Sequence, residues 1–274
     1  MNLRVRNLVA ILAMLTLGLL YVPLLAVAVF SVNKAKYGFV WRGFTLDWYA
    51  QLLKNDYILA GARNTLILAV VSTIIATALG TALALGAARA PWPRWFARYL
   101  DFMIFFPIVT PDIIFGAAAV VCFGLLRAVS SLFEPGLFTM ILAHVTFQIS
   151  FVTLVVGSRL AAIGRSVQEA ARDLYADSWT LLRRVLLPLL APGIVAGAML
   201  AFTLSLDDFI ISFLTSGPES TTLPIYIYAS LRRGVTPEIH ALSTLIFLAT
   251  FLLVMGLEWI TRYGKEMGDD KNRA

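Results

Sequence analysis

S-V-Q-E-A-A-R-D-L-Y-A-D-S-W-T-L-L-R-R-V-L-L-P, Ser166 to Pro188, is a polar stretch that leaves one long apolar run, Leu137–Gly157, and enters another, Val185–Phe213. Ser166 followed three residues later by Glu169 reads as a capping box and predicts a helix starting there. Val167, Ala170, Ala171 and Leu174 recur at i, i+3, i+4 and i+7 and give it one narrow apolar face, with Gln168, Glu169, Arg172 and Asp173 on the other side. A helix of about two turns is marginal alone and needs a surface to hold it. Asp177 and Ser178 then suit the cap of a second helix that begins near Trp179 and runs into the next apolar segment. Two short helices joined by a tight turn form a docking knob. From the pattern alone, an amphipathic helix lying on anionic lipid reads equally well.

Working outward, six apolar runs qualify as spans: Leu8–Phe30, Leu66–Ala88, Phe102–Leu126, Leu137–Gly157, Val185–Phe213 and Ala241–Leu257. Each approaches or exceeds the roughly 20 helical residues that cross about 30 Å of hydrocarbon. None shows the two-residue alternation of a membrane barrel strand. Arg4 and Arg6 ahead of the first run resemble a secretory signal, but the run outlasts a signal's roughly 7–15 apolar residues, so it reads as a retained helix. The composition agrees: 59% of the 274 residues are hydrophobic and 14% charged, against about 45–50% and about 25% in soluble domains. A single cysteine, Cys122, excludes internal disulfides and multi-cysteine metal clusters, and His144 and His240 lie far apart in the chain.

The net charge of +6 comes from 22 Lys and Arg against 16 Asp and Glu. These basic residues fall between the apolar runs rather than in an aromatic-laced patch, which argues against nucleic acid. Fourteen of them flank alternate runs on one side, including Arg94, Arg98, Arg159, Arg165, Arg172 and Arg183, and seven lie on the other. Because Lys and Arg stay preferentially inside, both termini and the loop Arg159–Arg184 are predicted to be cytoplasmic. Ser31–Gly61 is then the longest external segment, with a short helix predicted near Leu46–Leu53. Ser216–Glu238 re-enters or lies along the outer surface, and Gly264–Ala274 reads as a polar, disordered tail.

Carboxylates within apolar runs are costly and usually face a bundle interior or a wet cavity. Three occur. Asp112 lies about ten residues into the third run, ~15 Å deep at the helical rise. Pro107 and Pro111 precede it, and freed carbonyls can line a polar site there; alternatively, Asp112 caps a helix restarting after Pro111. Asp207 and Asp208 are adjacent and point about 100° apart on a helix. Ser205, Asp208, Ser212 and Thr215 form a polar stripe, whereas Asp207 shares its face with Thr203, Ile210, Ile211 and Leu214. Periodicity therefore favours Asp208 in a pathway and Asp207 as the paired or capping residue.

The loop resembles the EAA loop of ABC importer membrane subunits, E-A-A, three residues, G, nine residues, I-x-L-P. Glu169, Ala170, Ala171, Leu187 and Pro188 match, Val185 stands for Ile, and Tyr175 stands where Gly is usual. Gly takes φ > 0 without steric cost, whereas Tyr there is an outlier. VWRGFTLDWY (Val40–Tyr49), AHVTF (Ala143–Phe147), FTLSLDD (Phe202–Asp208), TLP (Thr222–Pro224) and GVTPEIHA (Gly234–Ala241) resemble permeases for spermidine and putrescine. The resemblance implies an all-α integral membrane protein with six transmembrane helices in the type I ABC importer permease fold. Residues 1–274 form one transmembrane domain, with the coupling loop at about 159–184. It also implies a second permease subunit forming a heterodimer, two copies of a cytoplasmic ATPase and an extracytoplasmic polyamine-binding protein. Glu169, Ala170, Ala171, Tyr175, Leu187 and Pro188 would then couple to the ATPase. No G-x-x-x-x-G-K-[ST] string occurs, since Gly264-Lys265 is followed by Glu266. ATP and Mg would sit on the partner ATPase, and this chain would bind no cofactor or metal.

For polycationic substrates, carboxylates at Asp112, Asp207 and Asp208 supply charge pairing, and Tyr226 and Tyr228 supply aromatic faces for cation–π contact. Trp41, Trp48 and Tyr49 read as interfacial anchors. An importer for another small cationic or organic solute fits the same residues. A proton-driven secondary transporter would be expected to carry internal repeats, and none is seen; an intramembrane aspartyl protease would need two of these carboxylates on one water.

Overall fold

The computed structural model describes residues 3–35, 40–89, 91–234 and 236–271, and among these no strand forms beyond one isolated bridge, Asn33 to Phe44. Twelve α-helices follow in order: α1 Leu3–Phe30, α2 Asp47–Leu52, α3 Asp56–Arg89, α4 Arg94–Val109, α5 Asp112–Arg127, α6 Leu137–Ile163, α7 Ser166–Asp173, α8 Ser178–Thr180, α9 Leu187–Asp207, α10 Ile210–Thr215, α11 Leu223–Arg233 and α12 Pro237–Lys271. Helix and membrane go together here because a chain in hydrocarbon must satisfy its backbone groups internally. Four helical stretches are long and apolar enough to span (Val5–Phe30, Asp56–Ala88, Leu137–Ile163 and Ser178–Asp207), or five with α4 and α5 taken as one bent span. The sixth run lies in α12, whose shorter apolar helix is Pro237–Leu252 among the described residues.

Two of the predicted runs are broken. Phe102–Leu126 turns through 111° between α4 and α5. Pro111 is the cause: the residue before a proline is driven out of the helical region, and Thr110 accordingly has ψ 127°. Val185–Phe213 breaks at Asp208, which is extended at φ −64°, ψ 124°. No proline stands there, and the Asp208 side chain itself takes over the backbone donors of the next helix, as described below. The same run starts irregularly. A π-helical turn, Leu181–Leu186, joins α8 to α9 and ends just before Pro188, which has no N–H to continue the ladder. The segment read as external contains α2 where a short helix is predicted. α11 occupies the centre of the segment read as re-entrant or superficial, and α12 continues as helix through Lys271 into the stretch read as a disordered tail.

The contacts divide into two units. Residues 1–59 and 227–274 form the first, in which α12 packs on α1 and α2. Its polar hub is buried Asn33: Nδ2 donates to the Val40 carbonyl (2.9 Å), Oδ1 accepts from the Ala35 and Arg42 amides (3.2 and 2.9 Å), and the Asn33 carbonyl accepts from Trp48 Nε1 (2.8 Å). Trp48, read as an anchor, is thereby also a structural donor.

Residues 60–226 form the second unit, centred on α6 against α9. Val152, Val156, Leu160, Leu181, Leu186 and Leu190 make its buried core. Close helix approach depends on glycine in two places. A Cβ on Gly80 of α3 would stand 2.7 Å from Val152 Cβ, and one on Gly116 of α5 would stand 2.7 Å from Leu214 Cδ1 of α10. The second contact sets α5 against α10 and so fixes where Asp112 begins.

Candidate functional site

Two features of the second unit carry the predicted functional residues. The first is the loop after α6. Gly164, at φ 75°, turns the chain, and Arg165 is already helical at φ −83°, ψ −27°. Ser166 therefore falls inside the first turn of α7, and no side chain caps it; the predicted Ser166–Glu169 capping box does not form. The end of α7 closes as a Schellman motif. The Ala176 amide donates to the Ala171 carbonyl (3.0 Å) and the Tyr175 amide to the Arg172 carbonyl (2.9 Å). The left-handed residue this motif requires is Tyr175, at φ 59°. The turn that a glycine normally makes is thus made here by a tyrosine, with its side chain 97% exposed.

Asp177 caps the second helix as predicted, its Oδ1 accepting the Thr180 amide at 3.1 Å. Its hydrogen bonds to Thr180 hold this carboxyl below the usual carboxylate range. Ala171 and Val185 pack on the unit's core. Glu169, Ala170 and Pro188 are exposed, Leu187 is half-buried, and Leu174 is 82% exposed. The predicted apolar face is therefore split, with Val167 and Ala171 partly covered and Ala170 and Leu174 outward. Beside α7 lies a cleft of about 610 Å³ whose lining includes Leu160, Arg165, Gln168, Glu169 and Arg172.

The second feature gathers the three carboxylates. Asp112 is the first residue of α5, exposed, and its helix start has no side-chain cap bond. Asp207 is the last residue of α9 and is exposed. Asp208 faces the other way. Its Oδ2 accepts the Ser212 amide (2.7 Å), its Oδ1 accepts the Ile211 amide (3.2 Å), and Oδ2 stands 3.3 Å from His144 Nε2, with the carboxylate side chain 11% exposed.

His144 is buried on α6 and engaged at both ring nitrogens, Nδ1 with Ser205 Oγ (2.8 Å) and Nε2 with Ser212 Oγ (3.0 Å). Ser205 Oγ also lies 3.4 Å from Ser72 Oγ of α3. Two further α6 residues reach the same broken helix: Gln148 Nε2 donates to the Ala201 carbonyl (3.0 Å) and Thr139 Oγ1 to the Thr215 carbonyl (3.2 Å).

The polar stripe of Ser205, Asp208, Ser212 and Thr215 thus exists, but it faces buried His144. Asp208 is the paired and capping carboxylate and Asp207 the exposed one. The paired and capping role expected of Asp207 therefore falls to Asp208, because periodicity runs a continuous helix through a residue where the chain is extended. Tyr226 is half-buried on α11. Tyr228 has Arg232 over its ring, guanidinium carbon 5.0 Å from the centroid and Nη2 donating to the phenol oxygen at 2.9 Å. Among the described residues no group of three His, Cys, Asp or Glu is arranged to hold a metal. The residues that sequence reasoning missed are His144, Gln148 and Thr139. The available signal was an imidazole and an amide four residues apart within an apolar run, hence on one helix face.

Residues 76–263 match the family described as binding-protein-dependent transport system inner membrane component. The chain is 35% identical over 243 residues to the spermidine/putrescine transport system permease protein PotC of Escherichia coli (strain K12), covering 89% of each. It is 40% identical over 233 residues to the putrescine transport system permease protein PotI of the same strain, covering 83% of this chain and 81% of PotI. Its fold is like that of a chain in a bacterial ABC transporter involved in the import of the acidic polysaccharide alginate. There the TM-score is 0.74 at 19% identity, over 95% of this chain and 96% of the other.

Proposed function

The chain belongs to the family of binding-protein-dependent transport system inner membrane components, and on that premise we propose that it carries polyamines such as putrescine and spermidine across the membrane. It is a multi-pass permease subunit of an ABC transporter, a transport component and not an enzyme. This membership displaces the proton-driven transporter and the protease as readings.

The observation that carries the polyamine reading is that both helix breaks hold exposed carboxylates, Asp112 opening α5 after one and Asp207 closing α9 at the other. Breaks in membrane helices line cavities rather than lipid, and exposed carboxylates there attract ammonium groups. In this reading Asp112 and Asp207 take the amine, Tyr226 offers an aromatic face, and Asp208 holds the break in shape. Tyr228 is occupied by Arg232.

The loop Glu169–Pro188 supports coupling. Ala171 anchors it to the core while Glu169 and Tyr175 stand outward for a cytoplasmic ATPase dimer, which binds the ATP and Mg. The excess of basic residues puts this loop and both termini in the cytoplasm. A sister permease completes the translocation path, and an extracytoplasmic binding protein delivers the amine. The test is uptake of labelled putrescine and spermidine by cells lacking their own polyamine importers and supplied with the whole complex. Accumulation of either amine supports the reading. Uptake of another solute with neither amine accumulating overturns it.

A further inference from the structure

We propose that His144 is the positioning residue that decides which of the two adjacent carboxylates faces the amine. This rests on reading Asp112 and Asp207 as the amine site. At the break between α9 and α10 the Asp208 carboxylate accepts the Ile211 and Ser212 amides, and the ring of His144 stands against the same carboxylate. One imidazole ties the two sides together. Its Nδ1 engages Ser205 on α9 at 2.8 Å, and its Nε2 engages Ser212 on α10 at 3.0 Å with Asp208 Oδ2 at 3.3 Å.

Both ring nitrogens are used on different helices, so the ring cannot turn without releasing both. His144 and the two serines are each at least 97% buried, with relative exposures of 2%, 2% and 1%, so water does not substitute for a lost partner. Ser72 of α3 backs Ser205 at 3.4 Å, and among the described residues Asp208 is the charged group against the ring. A carboxylate this covered needs a partner. With His144 completing the set begun by the Ile211 and Ser212 amides, Asp208 stays turned in and Asp207 stays exposed. Without it, Asp208 gains by turning toward water, which rotates Asp207 away.

The test uses the assembled complex with Cys122→Ser and Asp207→Cys, labelled by a cationic methanethiosulfonate reagent. With His144 present, residue 207 labels readily. His144→Ala slows labelling by about tenfold, the scale of coupling within one hydrogen-bonded network, at unchanged yield of complex. His144→Gln, whose amide reaches the same partners, restores the rate. An unchanged rate in His144→Ala overturns the proposal. So does loss of the complex in both variants, which makes His144 a folding residue only. Uptake by the otherwise unchanged complex is a separate readout: if Asp207→Asn leaves putrescine uptake as it was, the amine-site reading fails, while the rate comparison still judges the role of His144.

Discussion

Tyr175 donates its amide to the Arg172 carbonyl at 2.9 Å from a left-handed backbone at φ 59°, so an aromatic residue occupies the one position of this turn that favours glycine. A left-handed conformation costs a non-glycine residue roughly 1–2 kcal/mol, more than the roughly 0.5–1 kcal/mol of entropy that glycine adds to the unfolded chain. Tyr175→Gly therefore tightens the turn. Hydrogen exchange at the amides of 174–176 should slow, and faster exchange would show that the ring stabilises the turn in some other way.

Glu169 is exposed on a helix whose next-but-one residue, Ala171, is seated on the core. Glu169→Lys changes only the outward face. The complex should lose its ATPase on purification while this chain keeps its thermal stability. Recovery of the ATPase at full yield would remove Glu169 from the coupling surface.

The three carboxylates should separate by phenotype. Asp112→Asn and Asp207→Asn lower polyamine uptake at normal assembly, because both are exposed and neither caps a helix. Asp208→Ala strips a buried histidine and two backbone amides of their acceptor. Leaving a buried donor without its acceptor costs about 1–3 kcal/mol, so here assembly and thermal stability fall first. Uptake kinetics beside thermal denaturation of the complex distinguish the two classes. Equal stability losses in all three variants would contradict the division.

Gly116 is a packing position. A methyl group there meets Leu214 Cδ1 at 2.7 Å, and overpacking a fitted contact costs about 1–3 kcal/mol. Gly116→Ala should lower thermal stability, and pairing it with Leu214→Ala should restore it. Failure of that rescue would locate the effect elsewhere.

Much of this was legible in the sequence. Long uninterrupted apolar runs have one physical solution, so helix and membrane followed from length and composition. The Asp177 cap followed from local side-chain chemistry. What stayed hidden were interruptions whose cause lies elsewhere. A break at Asp208 depends on amides of residues 211 and 212 and on an imidazole 64 positions earlier in the chain, and helical periodicity contains none of these. The Ser166–Glu169 capping box failed because Arg165 is already helical and shifts the start by one residue. Tyr175 shows the converse: tertiary seating of Ala171 and the two Schellman bonds hold a turn that local preference disfavours.

The account as a whole treats this chain as a passive gate worked by a separate motor. The direct measurement is ATP-driven accumulation of putrescine in proteoliposomes holding either this chain alone or the complex with its sister permease, ATPase and binding protein. Accumulation only in the complete complex is the predicted result. Uphill accumulation by the chain alone would contradict it.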